Sequence, residues 1–137
     1  MNKNRIFVDT NVLVGAWAGF RDDELCLRYL FSLKGKQLYI STLSIAQFVS
    51  IFQNKRTPDA IRKHVKYLQT KFHLVSFTEK DVNSAMDGVA VDLEDHIQYT
   101  LCAKAKCQHF ITNNIKDYSG YSLLDVLKPD KCRKINQ

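Results

Sequence analysis

Ile6, Phe7 and Val8 form a short unbroken apolar run that stops at Asp9, the pattern of a strand buried on both faces. Helical spacing takes over at once: Val12, Leu13 and Trp17 mark one stripe, with Thr10 or Asn11 as the cap. Beyond Asp22 and Asp23, the positions Leu25, Leu27, Leu30, Phe31 and Leu33 predict a second helix ending near Gly35. Lys36 to Ile40 reads as a second strand. Leu43 through Phe52 reads as a helix with Ile45, Phe48, Val49 and Phe52 on its stripe and Gln47 on a neighbouring surface. Thr57 followed by Pro58 starts a helix running to Phe72, because proline at the first helical position gives up no hydrogen bond.

The second half repeats the alternation. Leu74 to Phe77 predicts a third strand, and Thr78 with Asp81 three residues on predicts a capped helix ending around Gly88. Asp92 to Lys106 predicts a helix with Ile97, Leu101 and Ala105 inward. His109 to Ile111 is a buried strand, Thr112 to Gly120 a polar loop and Leu124 to Leu127 a final strand, and Pro129 opens a short terminal helix. Apolar strands that do not alternate, separated by helices, predict an α/β fold with a parallel sheet covered on both faces. With 137 residues, one domain spanning 1–137 is expected.

Composition adds limits. The chain is 45% hydrophobic and 25% charged, the balance of a folded globular protein. No apolar stretch approaches the roughly 20 residues of a membrane span, and the opening MNKNR leads straight into a strand, so a cytoplasmic protein with no membrane partner is expected. The net charge of +6 favours an anionic partner such as nucleic acid. The exposed face of the fourth predicted helix, with Arg62, Lys63, Lys66 and Lys71, reads first as solubility. Cys26, Cys102, Cys107 and Cys132 include no CxxC pair, and the histidines at 64, 73, 96 and 109 form no HxxxH; reduced buried thiols are expected, and zinc is disfavoured.

Three places carry carboxylates where the crevice at the strands' carboxyl ends belongs: Asp9, the group Asp92, Glu94 and Asp95, and Asp117. Each has a plainer local reading. Asp9 is either a metal ligand or a helix cap, Asp92 with Asp95 resembles a cap, and Asp117 beside Asn113, Asn114 and Gly120 suits a turn. If they converge, mutual repulsion requires a cation, and an oxygen-only set suits Mg²⁺ or Mn²⁺.

The order of DTNVL at 9–13, DLEDHIQYTLCAKAKC at 92–107 and FITNNIKDY at 110–118 resembles the PIN domain family, particularly the toxin ribonucleases of bacterial toxin–antitoxin pairs. The likeness runs nearly end to end and includes the LDVLKPDK tail. It implies a three-layer α/β/α fold with a central parallel sheet of four to five strands, and a metal-dependent endoribonuclease. The family's acids map to Asp9, Asp95 and Asp117, as catalytic and Mg²⁺- or Mn²⁺-binding residues. Thr10, Asn11, Gln47, Asp92, Thr112 and Asn114 stand as supporting polar groups, with Thr112 and Asn114 positioning ligands or water. RNA, a cognate antitoxin lying across the acidic crevice and a second copy in a homodimer are the implied partners, with Trp17 or the Leu43 to Phe52 helix as either dimer contacts or core.

The chain departs from the family at one position, where the glutamate of the helix after the second strand corresponds to Gln47. An amide oxygen still coordinates a hard ion but brings no charge and cannot act as a base. Weaker metal binding, one ion instead of two, and inactivity follow as alternatives, with Asp92 or Glu94 as replacement charge; a single-ion nuclease is preferred. The rival is a degenerate PIN domain that binds RNA or protein without cutting. A phosphoryl-accepting receiver domain requires an acidic pair after the first strand, where Asp9 follows Val8 alone.

Overall fold

The computed structural model describes residues 2–87, 92–118, 120, 121 and 124–136. Its elements run β1 (Asn2–Val8), α1 (Thr10–Ala18), α2 (Arg21–Ser32), β2 (Gln37–Ser41), α3 (Thr42–Phe52), α4 (Pro58–Lys71), β3 (His73–Val75), α5 (Glu79–Met86), α6 (Leu93–Lys104), β4 (Cys107–Ile111) and β5 (Asp125–Leu127). Two 3-10 turns, Ile115–Tyr118 and Pro129–Lys134, flank β5. The five strands form one sheet in the order β3-β2-β1-β4-β5, and every neighbouring pair is parallel.

The apolar run of β1 explains its central place. Ile6, Phe7 and Val8 are fully buried, and the pleat sends them to opposite faces. Ile6 and Val8 join the core formed with α1 to α4 and the C-terminal turn, and Phe7 joins the core with α6. The chain builds outward from β1 to β2 and β3, then returns past β1 to lay down β4 and β5. Right-handed crossovers in opposite directions place the two sets of helices on opposite faces, and the reversal leaves a crevice between the carboxyl ends of β1 and β4.

Capping follows the sequence closely. Ser41 accepts from the Ser44 amide to open α3, Thr57 from Ala60 to open α4, and Thr78 exchanges hydrogen bonds with Asp81 to open α5. Trp17 stacks on His64 with ring centroids 4.5 Å apart, and the Arg56 guanidinium lies 4.4 Å over it. Those contacts tie α1 to α4. The four cysteines are free and buried.

Several boundaries differ from the sequence reading. The second helix ends at Ser32, not near Gly35, and Leu25 on it is 43% exposed, because the buried positions are Asp23, Cys26, Leu27 and Leu30. The third strand is His73–Val75, and the Phe77 amide leaves the sheet to donate to Thr42 Oγ1. The sixth helix begins at Leu93 with Asp92 as its cap and stops at Lys104. The segment read as a polar loop from Thr112 contains a 3-10 turn with Tyr118 fully buried against Phe110. Gly88, where the fifth helix was read to end, lies outside the described residues.

Candidate functional site

Two strand ends start the site. The Asp9 amide donates to the Ile111 carbonyl and the Thr112 amide to the Leu127 carbonyl, so the residues leaving β1 and β4 lie side by side. Asp9 occupies the cap position of α1, yet its side chain makes no cap hydrogen bond. Its Oδ2 instead accepts from Thr112 Oγ1 at 2.8 Å and from Asn11 Nδ2 at 3.2 Å. Of the two readings open for Asp9 in the sequence, capping is the one the geometry removes. Thr112 Oγ1 also accepts from the Asn114 amide, and Asn11 Oδ1 from the Asn113 amide, which fixes the turn after β4 onto the end of β1.

The amino terminus of α6 supplies the next wall. Asp92 Oδ1 accepts from the Asp95 amide at 3.0 Å, a cap in the ordinary sense, and it also has a second place. Among the described residues, Asp92, Asp95 and Asp117 each bring a carboxylate oxygen within 4.8 Å of the other two. Asp117 reaches this group from the 3-10 turn, which the buried Tyr118 pins against Phe110 with ring centroids 4.6 Å apart. Asp9 stands outside the trio, but its charge acts on Asp95. The capping, turn and cluster readings of Asp92 and Asp117 therefore coexist in the same side chains.

The electrostatics are unfavourable without a counter-charge. Burial pushes the Asp9 carboxyl up to about 6, with the Thr112 hydrogen bond opposing and the Glu94 charge adding. Asp95 is pushed up to about 7 by burial, contact with Asp117 and the charges of Asp92 and Asp9. Asp95 is 9% exposed and its Oδ2 makes no hydrogen bond of ordinary geometry, with the buried Tyr118 hydroxyl and the Asp117 carboxyl standing beside the Asp95 carboxyl. Buried polar atoms are ordinarily paired. A buried carboxylate with an unsatisfied oxygen, grouped with two further carboxylates, fits a hard divalent cation with all-oxygen ligands, and Asp92, Asp95 and Asp117, with Asp9 beside them, are the residues that could hold it.

Asp9 and Asp95 open onto a cleft of about 1170 Å³. Asp9, Asp22, Asp23, Glu94 and Asp95 line it against a single basic residue, Arg21, among the described lining residues. Its other side is apolar, with Phe20 66% and Ile51 41% exposed. Asp23 was not singled out in the sequence. It is buried because α1 carries Gly15 opposite it: a Cβ there would stand 1.7 Å from Asp23 Oδ2. Asn113 Nδ2 donates to Asp23 Oδ1 at 3.0 Å, so α2 also braces the turn after β4.

Gln47, on α3, bridges α1 and α6. Its Oε1 accepts from Thr10 Oγ1 at 2.7 Å and Gln98 Nε2 at 3.2 Å, and its Nε2 donates to Glu94 Oε1 at 2.9 Å. Gln98, fully buried, also donates to Thr10 Oγ1 and Ser44 Oγ. Sequence reasoning passed over Gln98. Its signal was position: three residues after Asp95, it lies on the same face of α6.

The PIN domain family model matches residues 6–118 of the chain. No curated protein matches it. Among solved structures it resembles a toxin–antitoxin complex from Klebsiella pneumoniae at a TM-score of 0.68 and 18% identity, covering 90% of this chain and 97% of that one. It also resembles VapBC-1 from nontypeable Haemophilus influenzae, at a TM-score of 0.71 and 12% identity, covering 93% and 99%. The sarcin–ricin loop cleaving toxin VapC20 of Mycobacterium tuberculosis aligns at a TM-score of 0.64 and 17% identity, covering 88% and 98%.

Proposed function

The chain belongs to the PIN domain family, and from that premise we propose that it is a metal-dependent endoribonuclease, the toxin of a toxin–antitoxin pair. The observation that carries this reading is Asp95, whose buried Oδ2 makes no hydrogen bond of ordinary geometry and whose carboxylate brings an oxygen within 4.8 Å of oxygens of Asp92 and Asp117. RNA is a polyanion, and a cleft with five carboxylates and one arginine repels it unless cations intervene. In this reading Asp9, Asp95 and Asp117 hold Mg²⁺ or Mn²⁺, with Asp92 beside them. When bound, such an ion orients a phosphodiester, lowers the pKa of a water and offsets charge on the departing oxygen.

The protein's own groups do the rest. Asp9 is held in one orientation by Thr112 and Asn11, so its carboxylate is fixed without a search through rotamers. Thr112 and Asn114 form the turn that keeps Asp117 against Asp95, and Arg21 at the rim offers a phosphate contact. Such contacts give affinity without sequence. The solved relatives include toxin–antitoxin complexes, and the acidic floor with its exposed Phe20 and Ile51 suits a basic, partly apolar antitoxin segment.

The test is cleavage of an RNA panel by the wild type and by Asp9→Asn, with Mn²⁺ and with EDTA. Cleavage by the wild type in Mn²⁺ only, lost in the variant, is expected; equal activity of the two proteins would end the proposal. The second reading, a binding module that cuts nothing, is favoured by Gln47 standing where an acid is expected. It predicts RNA binding without cleavage and little Mn²⁺ uptake in a calorimetric titration.

A further inference from the structure

Gln47 has an amide whose orientation is determined by its neighbours. An ionised Glu94 can only accept, so the Gln47 atom 2.9 Å from it is the NH₂ group. Oε1 then faces Thr10 and Gln98, and both of its lone pairs are taken, by the Thr10 hydroxyl and the Gln98 amide. Gln98 is locked in turn, since its Oε1 faces the Ser41 hydroxyl. The Gln47 oxygen therefore has nothing left to offer a cation. What its amide does is hold a different carboxylate, that of Glu94, on the wall of the cleft shared with Asp9 and Asp95.

We propose that Glu94 is a further cation-binding carboxylate of this cleft and that Gln47 is its positioning residue, the pair together supplying the charge absent from α3. Three observations converge on it. Glu94 lines the same cleft as Asp9 and Asp95. Asp95, the next residue of α6, presents a buried oxygen that makes no hydrogen bond of ordinary geometry. The Thr10–Gln98–Gln47 chain of hydrogen bonds is fully buried at its Gln98 end, an arrangement that costs desolvation and stays in place only when satisfied throughout. Glu94 itself is exposed, so its carboxylate is free to meet an ion with little structural consequence of its own.

The inference rests on the metal-dependent reading above, and a calorimetric titration of the full chain with Mn²⁺ separates the two. Glu94→Gln preserves shape and an acceptor for Gln47 and removes one of the clustered negative charges, so it does not lower the metal-free melting temperature while weakening Mn²⁺ binding about tenfold or more. Gln47→Met weakens binding in the wild type but adds nothing in the Glu94→Gln background, because it acts only through Glu94. The exchange Gln47→Glu with Glu94→Gln recovers affinity over Glu94→Gln alone: the carboxylate at 47 accepts from Thr10, Gln98 and the amide now at 94. Wild-type affinity in Glu94→Gln, or an undiminished Gln47→Met effect in that background, overturns this inference and leaves the metal reading standing. A wild type that takes up no Mn²⁺ overturns both.

Discussion

Asp9→Asn separates the charge at the site from its geometry. Both side-chain hydrogen bonds to Asp9 end on Oδ2, from Thr112 and Asn11, and the amide oxygen of the variant can accept both. The variant therefore loses charge and little else. In the metal-free protein, burial lifts the Asp9 carboxyl from 3.8 to about 6, so ionising it costs the folded state on the order of 3 kcal/mol at 1.36 kcal/mol per pH unit. The direction follows from the raised value. Below about pH 4 the carboxyl is protonated in both folded and unfolded chains and nothing is lost; between about pH 4 and 6 the folded chain alone keeps the proton and stability falls, and above 6 both are ionised and the full cost persists. In EDTA at pH 7.5 the variant should accordingly be more stable than the wild type by about 3 kcal/mol, or roughly 10 °C in melting temperature for a chain of this size. The gap should close toward pH 4. Thermal and urea unfolding followed by circular dichroism across pH 4 to 7.5 reads this directly. Mn²⁺ should narrow the gap at pH 7.5 by stabilising the wild type more than the variant. A variant no more stable than the wild type at pH 7.5, or a gap independent of pH, would refute the reasoning that Asp9 is kept at the expense of the fold.

Two further substitutions probe the frame around the acids. Thr112→Val keeps the shape of a fully buried side chain but removes the hydroxyl bonded to Asp9 Oδ2 and the Asn114 amide; a loss of about 1–3 kcal/mol is expected, larger at pH 7.5 than at pH 4.5 in urea unfolding, and equal losses would argue against the Asp9 link. Gly15→Ala forces Asp23 aside and breaks its bond with Asn113, for a cost of about 1–3 kcal/mol. In an Asp23→Ala background the same change should instead gain up to about 1 kcal/mol from helix propensity; additive effects in the double-mutant cycle would remove the steric argument.

The frame was legible where one physical pattern dominates. Ile6, Phe7 and Val8 announced a doubly buried central strand, and Thr57-Pro58 and Thr78-Asp81 announced helix starts, because burial and capping are local in sequence. The five-stranded parallel sheet and the helices on both faces followed from strands alternating with helices. Leu25 and Tyr118 were misplaced for one shared reason: which side of an element is inside depends on what packs against it, and on α2 Asp23 faces inward while Leu25 is left exposed, whereas Phe110 packs Tyr118 into the core from a loop of polar composition. At the site, residue types at strand ends pointed to an acidic crevice, but the grouping did not come from spacing. Asp92 joins Asp95 and Asp117 more closely than Asp9 does, and the Gln98–Gln47–Glu94 chain links α3 to α6 across 51 and 47 positions. Beyond the three-residue spacing of Asp92, Asp95 and Gln98, neither arrangement leaves a trace in any short window of the sequence.

A crystal soaked in Mn²⁺, with the ion located by its anomalous scattering, tests most directly whether these carboxylates gather around a cation. The account predicts an ion about 2.1 Å from Asp95 Oδ2, with Asp117 and Asp9 oxygens in its coordination sphere. An ion bound elsewhere, or none, with the Asp95 oxygen still unsatisfied among Asp92 and Asp117, would contradict it.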